Sequence, residues 1–183
     1  MSSSLLRLLK VDIYDQFYSI VQMNHGNVKR DITLSKDEAV AIHAYTKCYP
    51  PIYTEINSAL REGYNNHFLI KLIDTALTKL PNYNGKVVFR WTIPTLLEQD
   101  QLENNIPITE NAYLSTLKLP NEITMVESDC WLLRIHHLNG KDVSLYSDDY
   151  SSDIQEVLIP RGSAFQKQEV QDKKYDLDVV QIA

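Results

Sequence analysis

The spacing of apolar residues along this chain changes period once, near Pro81-Asn82-Tyr83-Asn84-Gly85. Before that point, Leu69, Leu72, Ile73, Ala76, Leu77 and Leu80 recur at steps of three and four, which predicts a helix from Phe68 to Leu80. Ser35-Lys36-Asp37-Glu38 matches a capping box, in which Ser and Glu side chains satisfy each other's orphan backbone donors. It predicts a helix through Ala39, Ile42 and Ala44. A further helix is expected over Ile52 to Arg61, stopped by Glu62-Gly63, and another from Leu5 to Met23, packed on the outside of the domain.

After Gly85 the apolar runs are short. Lys86 to Trp91, Asn111 to Thr116, Cys130 to His136, Glu156 to Ile159 and Ala164 to Val170 read as strands. Tyr175, Leu177 and Val179 alternate with polar residues, as a half-exposed final strand does. Helices followed by strands predict an α+β domain in which N-terminal helices pack on a mostly antiparallel sheet. The 183 residues suit a single domain, with residues 1–34 as a helical extension and 35–183 as the core.

Bulk properties narrow the function classes. A net charge of −6 argues against nucleic acid as a partner. No run of 18 uncharged apolar residues exists, so no membrane span is expected. The segment Leu5-Leu6-Arg7-Leu8-Leu9-Lys10 is not a standard secretory signal. A cytoplasmic protein, or one secreted without a cleaved signal, is therefore expected, as a monomer. Cys48 and Cys130 lack metal-ligand spacing and are read as free thiols or as one disulfide. No metal is expected.

Three polar positions sit where a strand is expected to meet a loop: Arg90, Ser115-Thr116 and Glu156. Each has an ordinary reading. Arg90 can end a strand at the surface, Ser115 and Thr116 can bond their own backbone in a turn, and Glu156 can be a solvated edge charge that prevents strand pairing. His136 and His137 point to opposite faces of a strand and form no pair. Asp148, Asp149 and Asp153 read as a solvated loop face.

Taken in order, Arg90, Ser115-Thr116 and Glu156-Val157-Leu158-Ile159-Pro160 resemble the Arg–Ser–Glu class of mono-ADP-ribosyltransferases, which includes bacterial toxins and effectors and vertebrate ecto-enzymes. Ala44-Tyr45-Thr46, Ile56 to Arg61 and Gly140 to Ser144 fit the same pattern. The resemblance spans residues 35–183. It implies the fold of that family, NAD as substrate and a protein acceptor, such as a host protein. It implies that Glu156 faces the nicotinamide ribose, where a carboxylate stabilises an oxocarbenium-like state. Ser115 would orient Glu156, and Arg90 would hold phosphate or ribose. The Trp91 backbone would hold the nicotinamide amide, and Thr116 would support the turn beside the NAD site.

Three positions depart from the family pattern. Ser-Thr-Ser is replaced by Ser115-Thr116-Leu117, and the residue after the strand arginine, often Gly, is Trp91. The acceptor-handling position two residues before the catalytic glutamate, Glu or Gln in relatives, is Ile154, so only Gln155 or Asp153 could take over through a shifted loop. Three functions follow: an ADP-ribosyltransferase of unusual acceptor, an NAD glycohydrolase, or a catalytically inert relative that binds a partner protein.

Overall fold

The structure is a computed structural model that describes residues 4–47, 49–120, 130–147, 155–169 and 176–183. Five helices come first: α1 (Ser4–Leu9), α2 (Val11–Asn27), α3 (Lys36–Thr46), α4 (Ile52–Arg61) and α5 (Phe68–Lys79). Then follow β1 (Val87–Thr92), α6 (Leu96–Glu103), β2 (Ile108–Glu110), β3 (Leu114–Leu117) and β4 (Trp131–His136). The chain closes with β5 (Lys141–Asp142), β6 (Glu156–Ile159), β7 (Ser163–Gln168) and β8 (Leu177–Gln181). Residues 1–81 with 141–152 form one compact unit, and residues 82–140 with 153–183 form another.

The first unit is built around α3. The capping box is present as expected: Glu38 N–H donates to Ser35 Oγ, and Ser35 N–H donates to Glu38 Oε2. Ala39, Val40, Ala41, Ile42 and Ala44 are all buried, and α3 packs against both α2 and α5. Glu38 is itself buried and is held by Lys79 Nζ at 2.6 Å. The expected single helix from Leu5 to Met23 is two helices, because Lys10 takes φ 62° and interrupts the ladder. Nor is that region merely external. Leu5, Tyr14, Phe17 and Val21 are buried, and the Phe17 ring lies 4.7 Å from the His43 ring. The segment after β5 belongs here because His43 Nδ1 lies 2.9 Å from the Tyr146 carbonyl and Asn24 donates to the Ser147 carbonyl.

Among the described residues, seven strands of the second unit pair in the order β2-β7-β8-β4-β1-β3-β6. The pairings are antiparallel except β4 with β8, so the expected α+β, mostly antiparallel architecture is the one observed. One face carries the apolar cluster of Val88, Ile135, Val157, Ile159, Leu177 and Val179. Its register is direct: Val88 pairs with Ile135, and Ile135 pairs with Val179.

Several strand expectations need correction. The run Asn111 to Thr116 becomes strand only at Leu114, because the Ala112 N–H is taken by the Glu110 side chain and not by a ladder. The final strand is not half-exposed. It lies between β4 and β7, and Asp178 and Gln181 are each 1% exposed. Asp178 tolerates burial because Arg134 grips it with two bonds of 2.6 Å. Helix α6 has no counterpart among the sequence expectations, although Thr95 and Glu98 form a capping box at its start. Tyr175 and Val170 lie outside the described residues.

Candidate active site

Glu156 opens β6 as expected, and β3 is the strand beside it. Leu117 is its direct partner, and Ser115 lies two residues further along β3 on the same face. Diagonal neighbours of this kind have Cβ atoms about 7 Å apart, a gap that a long glutamate and a short hydroxyl close together. Ser115 Oγ donates to Glu156 Oε1 at 2.6 Å.

The glutamate is not a solvated edge charge. It is 8% exposed, and burial pushes its carboxyl up to about 7, against the opposing influence of the Ser115 hydrogen bond and the Arg90 charge. A carboxylate in this state changes protonation near neutral pH.

Arg90 and Ser115 do not sit at strand ends. β1 runs on through Trp91 to Thr92, and β3 encloses both Ser115 and Thr116, so the turn reading of these hydroxyl residues does not hold. Arg90 is half-buried, shares a face of β1 with Val88, and donates from Nη1 to the Ser115 carbonyl at 2.5 Å. This bond ties β1 to the strand that carries the serine. Trp91 is half-buried opposite Leu132. Thr116 is 1% exposed, and its hydroxyl donates to the Val157 carbonyl at 2.6 Å, fastening β3 to β6.

Ser115 thus holds Glu156 directly, while Arg90, on the Val88 face of β1, reaches the Ser115 carbonyl and acts on Glu156 through its charge. Gln155 goes elsewhere. One residue before Glu156 and so on the other face, it accepts from Lys118 Nζ at 3.1 Å, while the backbones of the two residues are joined at 2.9 Å. Lys118 also lies 5.3 Å from the Tyr83 ring, which stacks on His137. No sequence signal beyond its place after Ser115-Thr116-Leu117 pointed to Lys118. Ile154 and Asp153, together with Asp148 and Asp149, lie outside the described residues. At the far end of β6, Gly162 takes φ 76° and lets the chain turn into β7.

His137 has a structural setting. Its Nε2 lies 2.7 Å from the Gly85 carbonyl, and its Nδ1 accepts from Gly140 N–H. Cys130 is a half-buried free thiol, and Cys48 lies outside the described residues. Among the described residues, no three His, Cys, Asp or Glu side chains cluster to hold a metal, and no helix is long and apolar enough to cross a membrane.

Comparison with known proteins identifies the family of the chain. The model of the family described as NAD:arginine ADP-ribosyltransferase matches residues 14–182. The chain belongs to the NAD:arginine ADP-ribosyltransferase family. The solved structures agree on the fold of this ADP-ribosyltransferase relative. The type III effector XopAI of Xanthomonas axonopodis pv. citri matches with a TM-score of 0.64 at 19% identity, over 95% of this chain and 76% of that one. The ADP-ribosyltransferase HopU1 of Pseudomonas syringae pv. tomato matches at 0.64 and 20%, over 95% and 86%. The toxin Plx2a of Paenibacillus larvae matches at 0.64 and 17%, over 93% and 96%. No curated protein matches the sequence. The family resembled at Arg90, Ser115 and Glu156 is thus the one whose model matches residues 14–182.

Proposed function

We propose that this chain is an NAD-dependent mono-ADP-ribosyltransferase in which Glu156 is the catalytic carboxylate. The observation that carries this reading is a buried glutamate held by Ser115 at 2.6 Å, with a half-buried arginine in the same site. The donor set fits NAD. A carboxylate suits a ribose hydroxyl and the positive charge that grows as the nicotinamide–ribose bond breaks. A guanidinium suits phosphate. Ser115 holds one carboxylate oxygen and so fixes the direction in which the carboxylate points. Arg90 lowers the cost of the ionised state by its charge and anchors β3 by its bond to the Ser115 carbonyl. Trp91 bounds the nicotinamide side through its backbone. Thr116 acts indirectly, by locking β3 on β6.

The acceptor is proposed to be a protein group other than arginine. Ile154 offers no carboxylate or amide, and Gln155 is engaged by Lys118. The same absence favours hydrolysis of NAD as a second reading, with water in place of the acceptor. An effector or toxin acting on a host protein is the proposed setting, in keeping with the solved neighbours, which are bacterial effectors and toxins.

Nicotinamide release and label transfer from NAD to lysate proteins, measured for wild type and Glu156→Gln, test these readings. Release with transfer, both lost in the variant, is expected. Release without transfer selects hydrolysis. No release, with no rise in melting temperature on adding NAD, would leave a partner-binding protein without NAD chemistry.

A further inference from the structure

Helix α4 carries a groove of about 630 Å³ within the first unit, remote in sequence from Arg90, Ser115 and Glu156. Its floor is the helix face that presents Glu55, Ser58 and Glu62, and Pro50-Pro51 close one end. Tyr64 closes the other, and its place follows from how the helix stops. Gly63 takes φ 86°, its N–H donates to the Leu60 carbonyl, and the Tyr64 N–H donates back to the Ala59 carbonyl at 2.8 Å. This pair of bonds is a Schellman stop, which brings the residue after the glycine back against the last turn. Tyr64 is thereby fixed beside Ala59 while remaining 67% exposed.

The lining is largely apolar, and among the described residues its charged groups are the two carboxylates of Glu55 and Glu62, with one aromatic ring, Tyr64. Glu62 is exposed and accepts from Ser58 Oγ at 3.2 Å, and Glu55 is exposed seven residues earlier on the same face. Seven residues of helix put the two carboxylates about 10 Å apart along the axis. Three residues of polyproline II backbone advance about 9 Å and return a side chain to the same side. Tyrosine faces attract cations, and Pro-Tyr walls suit an extended chain.

We propose that this groove docks a cationic, extended segment of a partner protein, with two basic side chains three residues apart reaching Glu55 and Glu62. One of them lies against the Tyr64 ring. The charge complementarity is local and is reinforced by the net charge of −6 on the whole chain.

Fluorescence anisotropy of the full chain with a labelled Pro- and Gly-based nonapeptide bearing two Lys three positions apart tests this. Peptides with adjacent Lys, or with two Glu at the same positions, are the comparisons. The spaced-Lys peptide is expected to bind tightest, and binding is expected to weaken with salt. Glu55→Lys combined with Glu62→Lys is expected to weaken it about tenfold. Glu103→Lys, an exposed charge reversal on α6, is expected to change it by less than about twofold. Tyr64→Ala is expected to weaken binding while Tyr64→Phe preserves it. All of these positions are exposed, and unchanged melting curves would verify folding. Equal loss with Glu103→Lys would reduce the effect to bulk charge and overturn the proposal, as would equal binding of all three peptides. Self-association of the chain that is abolished by the double reversal would assign the groove to a second copy and overturn it too.

Discussion

Ser115 and Glu156 sit on neighbouring antiparallel strands two residues out of register, and the serine hydroxyl donates to the buried carboxylate at 2.6 Å. The chemistry proposed for this chain depends on that one diagonal contact, which joins residues 41 positions apart.

Removing the carboxylate charge while keeping its shape separates chemistry from folding. Glu156→Gln is expected to lower nicotinamide release by about 10²- to 10³-fold, the range found when a group that stabilises a transition-state charge is lost. Ser115→Ala should cost less, because it removes the support and leaves the carboxylate.

The pH profile follows from the ionisation of Glu156. Its carboxyl is pushed up to about 7 by burial, and the role proposed for Glu156 requires the ionised form. In the free protein, kcat/KM for nicotinamide release should therefore fall on the acid side of about pH 7. Ser115→Ala deletes a bond that favours the ionised form, so the acid limb should move to higher pH. A profile that stays in place would show that Ser115 does not tune the carboxylate.

The same shift has a stability cost. A carboxyl whose folded pKa is raised holds its proton more tightly when folded. At a pH below the ordinary carboxylate value both states are protonated, and nothing is lost. As pH rises from about 4.5 to about 7, the unfolded chain ionises first and folded stability falls. Above that window the loss is constant, at most on the order of 3 kcal/mol. Glu156→Gln should accordingly be more stable than wild type at pH 8 and about equal to it at pH 4, as read from urea unfolding.

Thr116 and Ser115 are adjacent hydroxyl residues with different expected phenotypes. Thr116→Val removes a buried donor from the Val157 carbonyl and should cost about 1 kcal/mol of stability with little change in KM for NAD. A large rise in KM at unchanged stability would place Thr116 in direct contact with NAD.

The ion pair of Arg134 and Asp178 should dominate the stability of the central strands. Arg134→Met leaves a carboxylate that is 1% exposed without its bidentate partner, at an expected cost of about 3–5 kcal/mol. Adding Asp178→Leu should restore much of that loss, because the desolvated charge is gone. Denaturant midpoints of the single and double variants give the comparison.

Much of the local structure was legible from local chemistry. The capping box at Ser35, the stop at Glu62-Gly63 and the bounds of the strand Glu156–Ile159 each depend on a few adjacent residues, and each appears where expected. The break at Lys10 was not legible, since a lysine at φ 62° carries no mark in the sequence. The start of helix α6 carries a local mark as well, since Thr95 and Glu98 form the same box as Ser35 and Glu38. The alternation in the last strand was real, but it misled. A polar residue predicts an exposed face only when no partner waits for it, and Arg134 waits for Asp178 across 44 positions.

Local chemistry set most of the helical and extended segments and the chain order Arg90, Ser115, Glu156 on which the family resemblance rests. What those residues face was decided by tertiary structure. Asp178, Arg134, Phe89, Leu117 and Glu156 stand in one row across five strands, each opposite the next. That row sets Glu156 beside Ser115 and turns Gln155 away toward Lys118. The physical reason is one of range. Capping and periodicity act over a few residues of chain, whereas strand register and the burial that shifts a carboxyl to about pH 7 sum over segments far apart in sequence.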